Sequence, residues 1–106
     1  MDNFEISAKD AAALWNKKEI KLLDVRGEDE RILAKIEGVP TIDRKFADEV
    51  IAKWPKDTAI VLNCHHGIRS MDAVAYLKDK GFTNVKSLAG GIEAWSRDVD
   101  PSIPSY

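Results

Sequence analysis

The stretch "AIVLNCHHGIRSMDAVAYL", residues 59–77, joins an apolar segment to a helical one through a loop that carries the single cysteine of the chain, Cys64. Residues 58–63 are mostly apolar or β-favouring, which predicts a strand covered on both faces. From Ser70 onward the pattern predicts a helix with lysines in its last turn and Gly81 just after it. A strand that passes through a short loop into a helix is the first half of a βαβ unit.

Strand and helix signals also alternate through the rest of the chain. Strands or extended segments are predicted at "NFEI" (3–6), "IKLLDV" (20–25), "GVPTID" (38–43) and "NVKSL" (84–88). Helices are predicted at "SAKDAAALWN" (7–16), "EDERILAKI" (28–36), "FADEVIAKW" (46–54) and within "GGIEAW" (90–95), and the prolines of 97–106 favour an extended tail. Ser7 and Asp10 form a capping-box pattern at the start of the first helix. The alternation predicts an α/β domain with a parallel sheet and helices on both faces.

The composition limits the class of protein and its partners. A chain of 106 residues, 44% apolar and 32% charged, suits one globular domain, which we place over 1–106. The net charge is −2 and no basic block stands out, which argues against nucleic acid as a partner. No apolar run approaches the roughly 20 residues of a membrane span, and "MDNFEISAKD" has no signal-peptide pattern. One cysteine excludes an internal disulfide, so we expect a reducing, cytoplasmic setting.

Cys64 is expected at the carboxyl end of its strand, where open parallel α/β sheets bind their ligands. The nucleophilic form of cysteine is the thiolate. The backbone N–H groups that we expect around the sulfur belong to His65, His66, Gly67, Ile68, Arg69 and Ser70. A helix N-terminus stabilises a nearby anion by roughly 0.3–1 kcal/mol, whereas each hydrogen bond to a charged group contributes about 1.5–3 kcal/mol. Directed amides, more than the helix dipole, are therefore expected to stabilise a thiolate.

Three side chains of this loop can add positive charge. Arg69 is permanently charged, and His65 and His66 gain charge below about pH 6.5. Such a cradle suits an anionic substrate, or a second sulfur atom attached to Cys64. The simpler interpretation of the two histidines is that they are solvent-facing loop side chains.

Three motifs of the chain resemble those of the rhodanese family. "CHHGIRS" (64–70) is similar to that family's active loop, usually a cysteine, four loop residues and an arginine. "LLDVR" (22–26) resembles the Asp-Val-Arg signature at the end of its second strand, and "LAGGIEAW" (88–95) resembles its closing motif. The motifs occur in the family's order and span most of the chain. The resemblance implies a rhodanese-like fold, with a five-stranded, mostly parallel sheet flanked by helices.

The resemblance also implies a sulfurtransferase reaction with no metal or organic cofactor. Cys64 would take the outer sulfur of a donor such as thiosulfate or a persulfide. It would pass that sulfur to a thiophilic acceptor such as cyanide, a thiol or a sulfur-carrier protein. Loop amides from His65 to Arg69 would hold the persulfide, and Arg69 would help to fix the loop. The ending "AWSRDVDPSIPSY" is similar to that of rhodanese domains joined to E1-like adenylyltransferases, which suggests such a partner.

Four further residues are expected to support the site. Asp24 and Arg26 are interpreted as ties between a strand end and the neighbouring loops, because buried polar groups need hydrogen-bond partners. Gly90 and Gly91 are interpreted as a tight turn beside the active loop. The chain departs from the family pattern after "DVR", where Arg31 occupies a position that is often aromatic. The packing of 28–38 therefore stays open.

Other interpretations of the same residues are weighed against this one. Cys64 could be a buried structural thiol, or part of a non-catalytic module that binds a partner or senses redox state, although the chain offers no resolving thiol. A phosphatase or arsenate reductase is disfavoured, because such loops place five residues between cysteine and arginine, and this loop has four. Cys64, His65 and His66 are adjacent and do not easily face one ion, so no metal site is expected.

Overall fold

The computed structural model describes residues 4–106, so Met1 to Asn3, including the first residue of the strand predicted at 3–6, lie outside the described part. The strands are β1 (Glu5–Ile6), β2 (Lys21–Asp24), β3 (Ile60–Asn63) and β4 (Val85–Leu88). The helices are α1 (Ala8–Asn16), α2 (Glu28–Leu33), α3 (Arg44–Lys53), α4 (Ile68–Asp79) and α5 (Gly91–Asp98). The predicted alternation of strands and helices is confirmed.

The sheet is parallel throughout, in the order β1-β4-β3-β2, so β3 is an inner strand. Among residues 4–106 it has four strands, and the prediction of five is wrong in this respect. The segment 38–43 meets the free edge of β2 at one bridge, between Asp24 and Thr41. Pro40 accepts a hydrogen bond from Asp24 through its carbonyl but has no N–H to donate, which prevents a longer ladder.

Helices cover both faces of the sheet, as predicted. On one face α1 and α5 pack over Leu22 and Val61, and the Trp15 and Trp95 rings meet edge to face at 5.9 Å. On the other face α3 and α4 pack against the sheet and form a second cluster, which shares no buried residue with the first. Its buried members are Leu23, Val50, Ile60, Leu62, Val74, Leu77, Phe82 and Val85. Every residue of β3 is buried, which confirms the strand covered on both faces.

Several element boundaries differ from the prediction. Helix α4 begins at Ile68, two residues before the predicted start at Ser70, because Gly67 adopts the left-handed conformation that ends the loop. Helix α5 continues to Asp98, so the extended tail predicted for 97–106 begins later. The capping prediction is confirmed in part, since the Ser7 hydroxyl accepts a hydrogen bond from the Asp10 amide at 3.1 Å.

No described helix is long and apolar enough to cross a membrane.

Candidate active site

Cys64 follows directly after β3, and its side chain is almost completely buried. The amides of Gly67 and Ser70 donate hydrogen bonds to its Sγ at 3.0 and 3.3 Å. The Ser70 Oγ lies 3.3 Å from the same sulfur. Among the described hydrogen bonds these are the ones that reach Sγ, so the predicted cradle has two of its six amides on the sulfur. Because α4 starts two residues early, Ser70 lies in its first turn and points its amide at Cys64.

Two serine hydroxyls connect the loop to the neighbouring strand β4. Ser70 and Ser87 are both fully buried, with their Oγ atoms 2.5 Å apart. The Ser87 hydroxyl also lies 3.3 Å from the Gly67 carbonyl, which it can reach as a donor. Ser87 belongs to β4, so the neighbouring strand fixes the loop directly. The sequence analysis did not single out Ser87, since a serine within a predicted strand carries no signal of a site.

The turn at the start of α5 supports the loop from the side. The amides of Ile92 and Glu93 donate to the carbonyls of Cys64 and His65 at 2.8 and 3.3 Å. Gly91 has φ +61°, and a Cβ there would overlap the same two carbonyl oxygens. Only glycine allows so close an approach. The tight turn predicted at Gly90 and Gly91 therefore lies against the active loop.

Arg69 lies at the outer edge of the loop and is half exposed. Its Nη2 donates to Glu30 Oε1 at 2.7 Å, which joins α4 to α2. The hydrogen bond from Arg69 holds the pKa of Glu30 below its ordinary value of 4.5. The same bond raises the pKa of Arg69, and the nearby charge of Cys64 adds to this effect. The arginine predicted to carry free positive charge is thus paired with a carboxylate.

Asp24 and Arg26 form a buried ion pair with side chains inaccessible to solvent. The guanidinium of Arg26 donates to both carboxylate oxygens, and also to the carbonyl of Ala34 at 2.8 Å. Arg31 is a second partner of Asp24 at 3.0 Å. Although burial alone lowers the pKa of Arg26, its hydrogen bonds to Asp24 and Tyr106 and the electrostatic attraction of these two groups together raise it. This geometry agrees with the tie predicted at the end of β2, and Arg31 joins it.

The two loop histidines form part of a stack of three rings. The ring of His65 lies between those of His66 and Tyr106, at centroid distances of 3.9 and 3.8 Å. His66 is half exposed and pairs with Glu93 at 2.7 Å. His65 is less exposed than expected for a solvent-facing residue, and its buried Nε2 has no hydrogen-bond partner. Ile68, by contrast, points outward and is 76% exposed.

A metal site would have to use His65, His66 and Glu93, whose donor atoms lie within 4.8 Å of one another. The two imidazole planes are only 25° apart. A ligand nitrogen binds a metal in the plane of its ring, at about 2.0–2.1 Å for zinc. Planes this close to parallel do not meet at a common point that near to both nitrogens. The arrangement therefore does not fit a metal, in line with the expectation from the sequence.

Glu30 and Tyr106 belong to the site, and the sequence analysis assigned neither of them a role. Tyr106 belongs to the segment that follows α5, and Glu30 belongs to α2. Glu30 lies in the segment 28–38, whose packing the sequence left open. No local signal indicates a contact across 39 or 76 positions of sequence.

Comparisons with known proteins agree on one family and one fold. A family model described as "Rhodanese-like domain" matches residues 7–98. The thiosulfate sulfurtransferase GlpE of Pseudomonas paraeruginosa is 34% identical over 104 residues, which cover 98% of this chain and 94% of GlpE. The human single-domain sulfurtransferase TSTD1 has a similar fold, with a TM-score of 0.75 and 21% identity, over 92% of this chain and 98% of that one.

A longer relative is similar over part of its length. The probable adenylyltransferase/sulfurtransferase MoeZ of Mycobacterium tuberculosis is 35% identical over 91 residues. The match covers 84% of this chain but only 23% of MoeZ, so the chain spans less than a quarter of that protein.

Proposed function

The chain belongs to the rhodanese-like domain family, and we propose that it is a sulfurtransferase in which Cys64 carries the transferred sulfur. The observation that carries the proposal is the convergence of two amides and one hydroxyl on a buried Sγ at the end of an inner strand. The hydrogen bonds donated by the two amides favour the anionic form of the sulfur, which is the nucleophile.

In the proposed first step, the thiolate of Cys64 attacks the outer sulfur of thiosulfate. An S–S bond to Cys64 forms, the S–S bond of thiosulfate breaks, and sulfite leaves with its electron pair. In the second step, the anion of an acceptor attacks the outer sulfur of the persulfide. A thiol acceptor leaves as a persulfide and cyanide leaves as thiocyanate, while Cys64 returns as a thiolate. The two steps balance without an oxidant, a metal or an organic cofactor.

The charges of the site support recognition of the donor by the backbone. Arg69 is paired with Glu30, and His66 with Glu93, so two of the three predicted cationic side chains are already engaged. The amides of the loop and the first turn of α4 provide the remaining attraction for an anion. We therefore assign Arg69 to fixing the loop, with anion binding by the main chain from His65 to Arg69.

The experiment is mass spectrometry of the purified protein before and after incubation with thiosulfate. We expect a gain of one sulfur atom, which dithiothreitol removes and cyanide converts to thiocyanate. Cys64→Ser should show no gain, with circular dichroism as the control for its fold. If the wild-type protein gains no sulfur from thiosulfate or from a persulfide donor, the proposal is wrong. Turnover of an aryl phosphate would favour the phosphatase interpretation instead.

We further propose that the acceptor is a sulfur-carrier protein served by an E1-like adenylyltransferase. MoeZ combines adenylyltransferase and sulfurtransferase in its name, and this chain is similar to less than a quarter of it. A reducing, cytoplasmic setting fits a thiol that must stay free of disulfides. With this acceptor the outer sulfur of the persulfide attacks the acyl adenylate and AMP leaves, and a thiol reductant then cleaves the S–S bond to Cys64 and releases the carrier as a thiocarboxylate. The test is to load the protein, remove excess donor, add an adenylated carrier protein and then a thiol such as dithiothreitol, and follow the sulfur by mass. Retention of the sulfur on Cys64 would count against this acceptor.

A further inference from the structure

We propose that Tyr106 is a positioning residue that holds the Cys64 loop in its reactive shape, an inference that rests on the proposed function. The Tyr106 ring lies parallel to that of His65, with planes 5° apart and centroids 3.8 Å apart. His65 follows Cys64 directly, and its carbonyl accepts the Glu93 amide. Among residues 4–106 its buried Nε2 has no hydrogen-bond partner, so the described contacts that orient this ring are its two stacking neighbours.

The hydroxyl of Tyr106 links the loop to a fixed point of the fold. It accepts a hydrogen bond from Arg26 Nη1 at 2.8 Å and donates one to Glu30 Oε1 at 3.1 Å. The same Glu30 oxygen accepts from Arg69 Nη2. Arg26 is fully buried and held by Asp24, so it cannot move freely.

Tyr106 therefore contacts one end of the loop directly and reaches the other end through Glu30. At one end its ring covers the residue after Cys64, and at the other its hydroxyl orients the carboxylate that binds Arg69. Burial raises the pKa of Tyr106, so the hydroxyl stays protonated and able to donate at neutral pH. The amide of Gly67 lies between these two ends, and the amide of Ser70 follows Arg69 directly; both point at the sulfur. A shift of either end would turn those amides away from Sγ.

The test compares Tyr106→Leu, which removes ring and hydroxyl, with Tyr106→Phe, which keeps the ring. The matched control is Tyr76→Leu, at an exposed tyrosine of α4. Two quantities are measured: hydrogen exchange of the peptide over 64–70, and the rate of sulfur loading from thiosulfate. Loss of a stacked pair changes an equilibrium or a rate by about tenfold at most. Loss of the hydroxyl adds to this change. In Tyr106→Leu we expect hydrogen exchange over 64–70 to be about tenfold faster and sulfur loading to be about tenfold slower. Tyr106→Phe, which keeps the ring, should show smaller changes in both quantities.

The outcomes separate this inference from the proposed function. If Tyr106→Leu loads sulfur and exchanges like the wild type, the positioning role is refuted. If it accelerates exchange over the whole chain, or if Tyr76→Leu does the same at 64–70, the role is merely structural and the inference also fails. If the wild type takes up no sulfur but exchange at 64–70 responds to Tyr106 alone, the loop contact stands and the proposed reaction fails.

Discussion

Replacing Gly91 with alanine tests how tightly the turn before α5 holds the active loop. A new Cβ at this position would overlap the carbonyl oxygens of Cys64 and His65, which are backbone atoms and cannot rotate away. Relief requires the turn and the loop to separate, which breaks the hydrogen bonds donated by Ile92 and Glu93. Left-handed backbone costs a non-glycine residue about 1–2 kcal/mol, and each lost hydrogen bond costs about 0.5–1.5 kcal/mol.

Gly91→Ala is therefore expected to lose about 2–5 kcal/mol of unfolding free energy and most of its sulfur loading. Gly81→Ala is the matched control, because Gly81 has φ +103° but a Cβ there meets only the Lys56 side chain at 3.8 Å. The control should lose about 1–2 kcal/mol from backbone strain alone and load sulfur normally. Urea unfolding gives the free energies, and mass spectrometry with thiosulfate gives the loading. Equal losses in the two variants would refute the steric argument.

Three further substitutions test the contacts around the loop. Asp24→Asn leaves the buried charge of Arg26 without its carboxylate, so urea unfolding should show a loss of about 3–5 kcal/mol, and a loss below 1 kcal/mol would contradict a buried ion pair. Ser87→Ala removes the hydroxyl that links Ser70 to β4, and should cost about 1 kcal/mol and slow loading; unchanged loading would show that the link is dispensable. Because the pKa of Glu30 is lowered in the fold, its stabilisation is present above its ordinary value of 4.5 and is lost as pH falls through the folded value. The unfolding free energy of Glu30→Gln should therefore fall less than that of the wild type as the pH decreases below 4.5. An unchanged dependence on pH would contradict the ion pair.

The local parts of the fold were predictable from the sequence. The strand at 60–63, the alternation with helices and the cap at Ser7 all depend on neighbouring residues, and the structure confirms them. The strand count was not predictable, because the segment 38–43 pairs with β2 at a single bridge, between Thr41 and Asp24. The length of this pairing depends on a contact between two separate segments, which neighbouring residues do not indicate. The helix start at Ile68 was missed for a related reason. Gly67 permits several conformations, and the one it adopts, with φ +96°, lies so near the turn at Gly90 that a Cβ would come within 3.1 Å of the Gly90 amide nitrogen.

The site was predictable as a position and only in part as an arrangement of charges. Cys64 and its loop follow from a strand end and a helix start, which are local features. The carboxylates that pair with the loop cations come from α2 and α5, and no periodicity reports such contacts. For the same reason Tyr106 could be read only as part of a tail.

These pairings change how the chemistry of the loop is understood. Residues 64–70 contain three side chains able to carry positive charge, which by itself favours a site that attracts anions through those side chains. Glu30 pairs with Arg69, Glu93 binds His66, and His65 is held between two rings. What remains directed at the sulfur is the main chain, with amide nitrogens at 3.0 and 3.3 Å, together with the Ser70 hydroxyl at 3.3 Å. A field made by backbone amides is short in range and fixed in direction, so it stabilises charge on one sulfur atom better than it draws in distant ions. That property suits the proposed reaction, in which one buried loop holds a thiolate and a persulfide in turn.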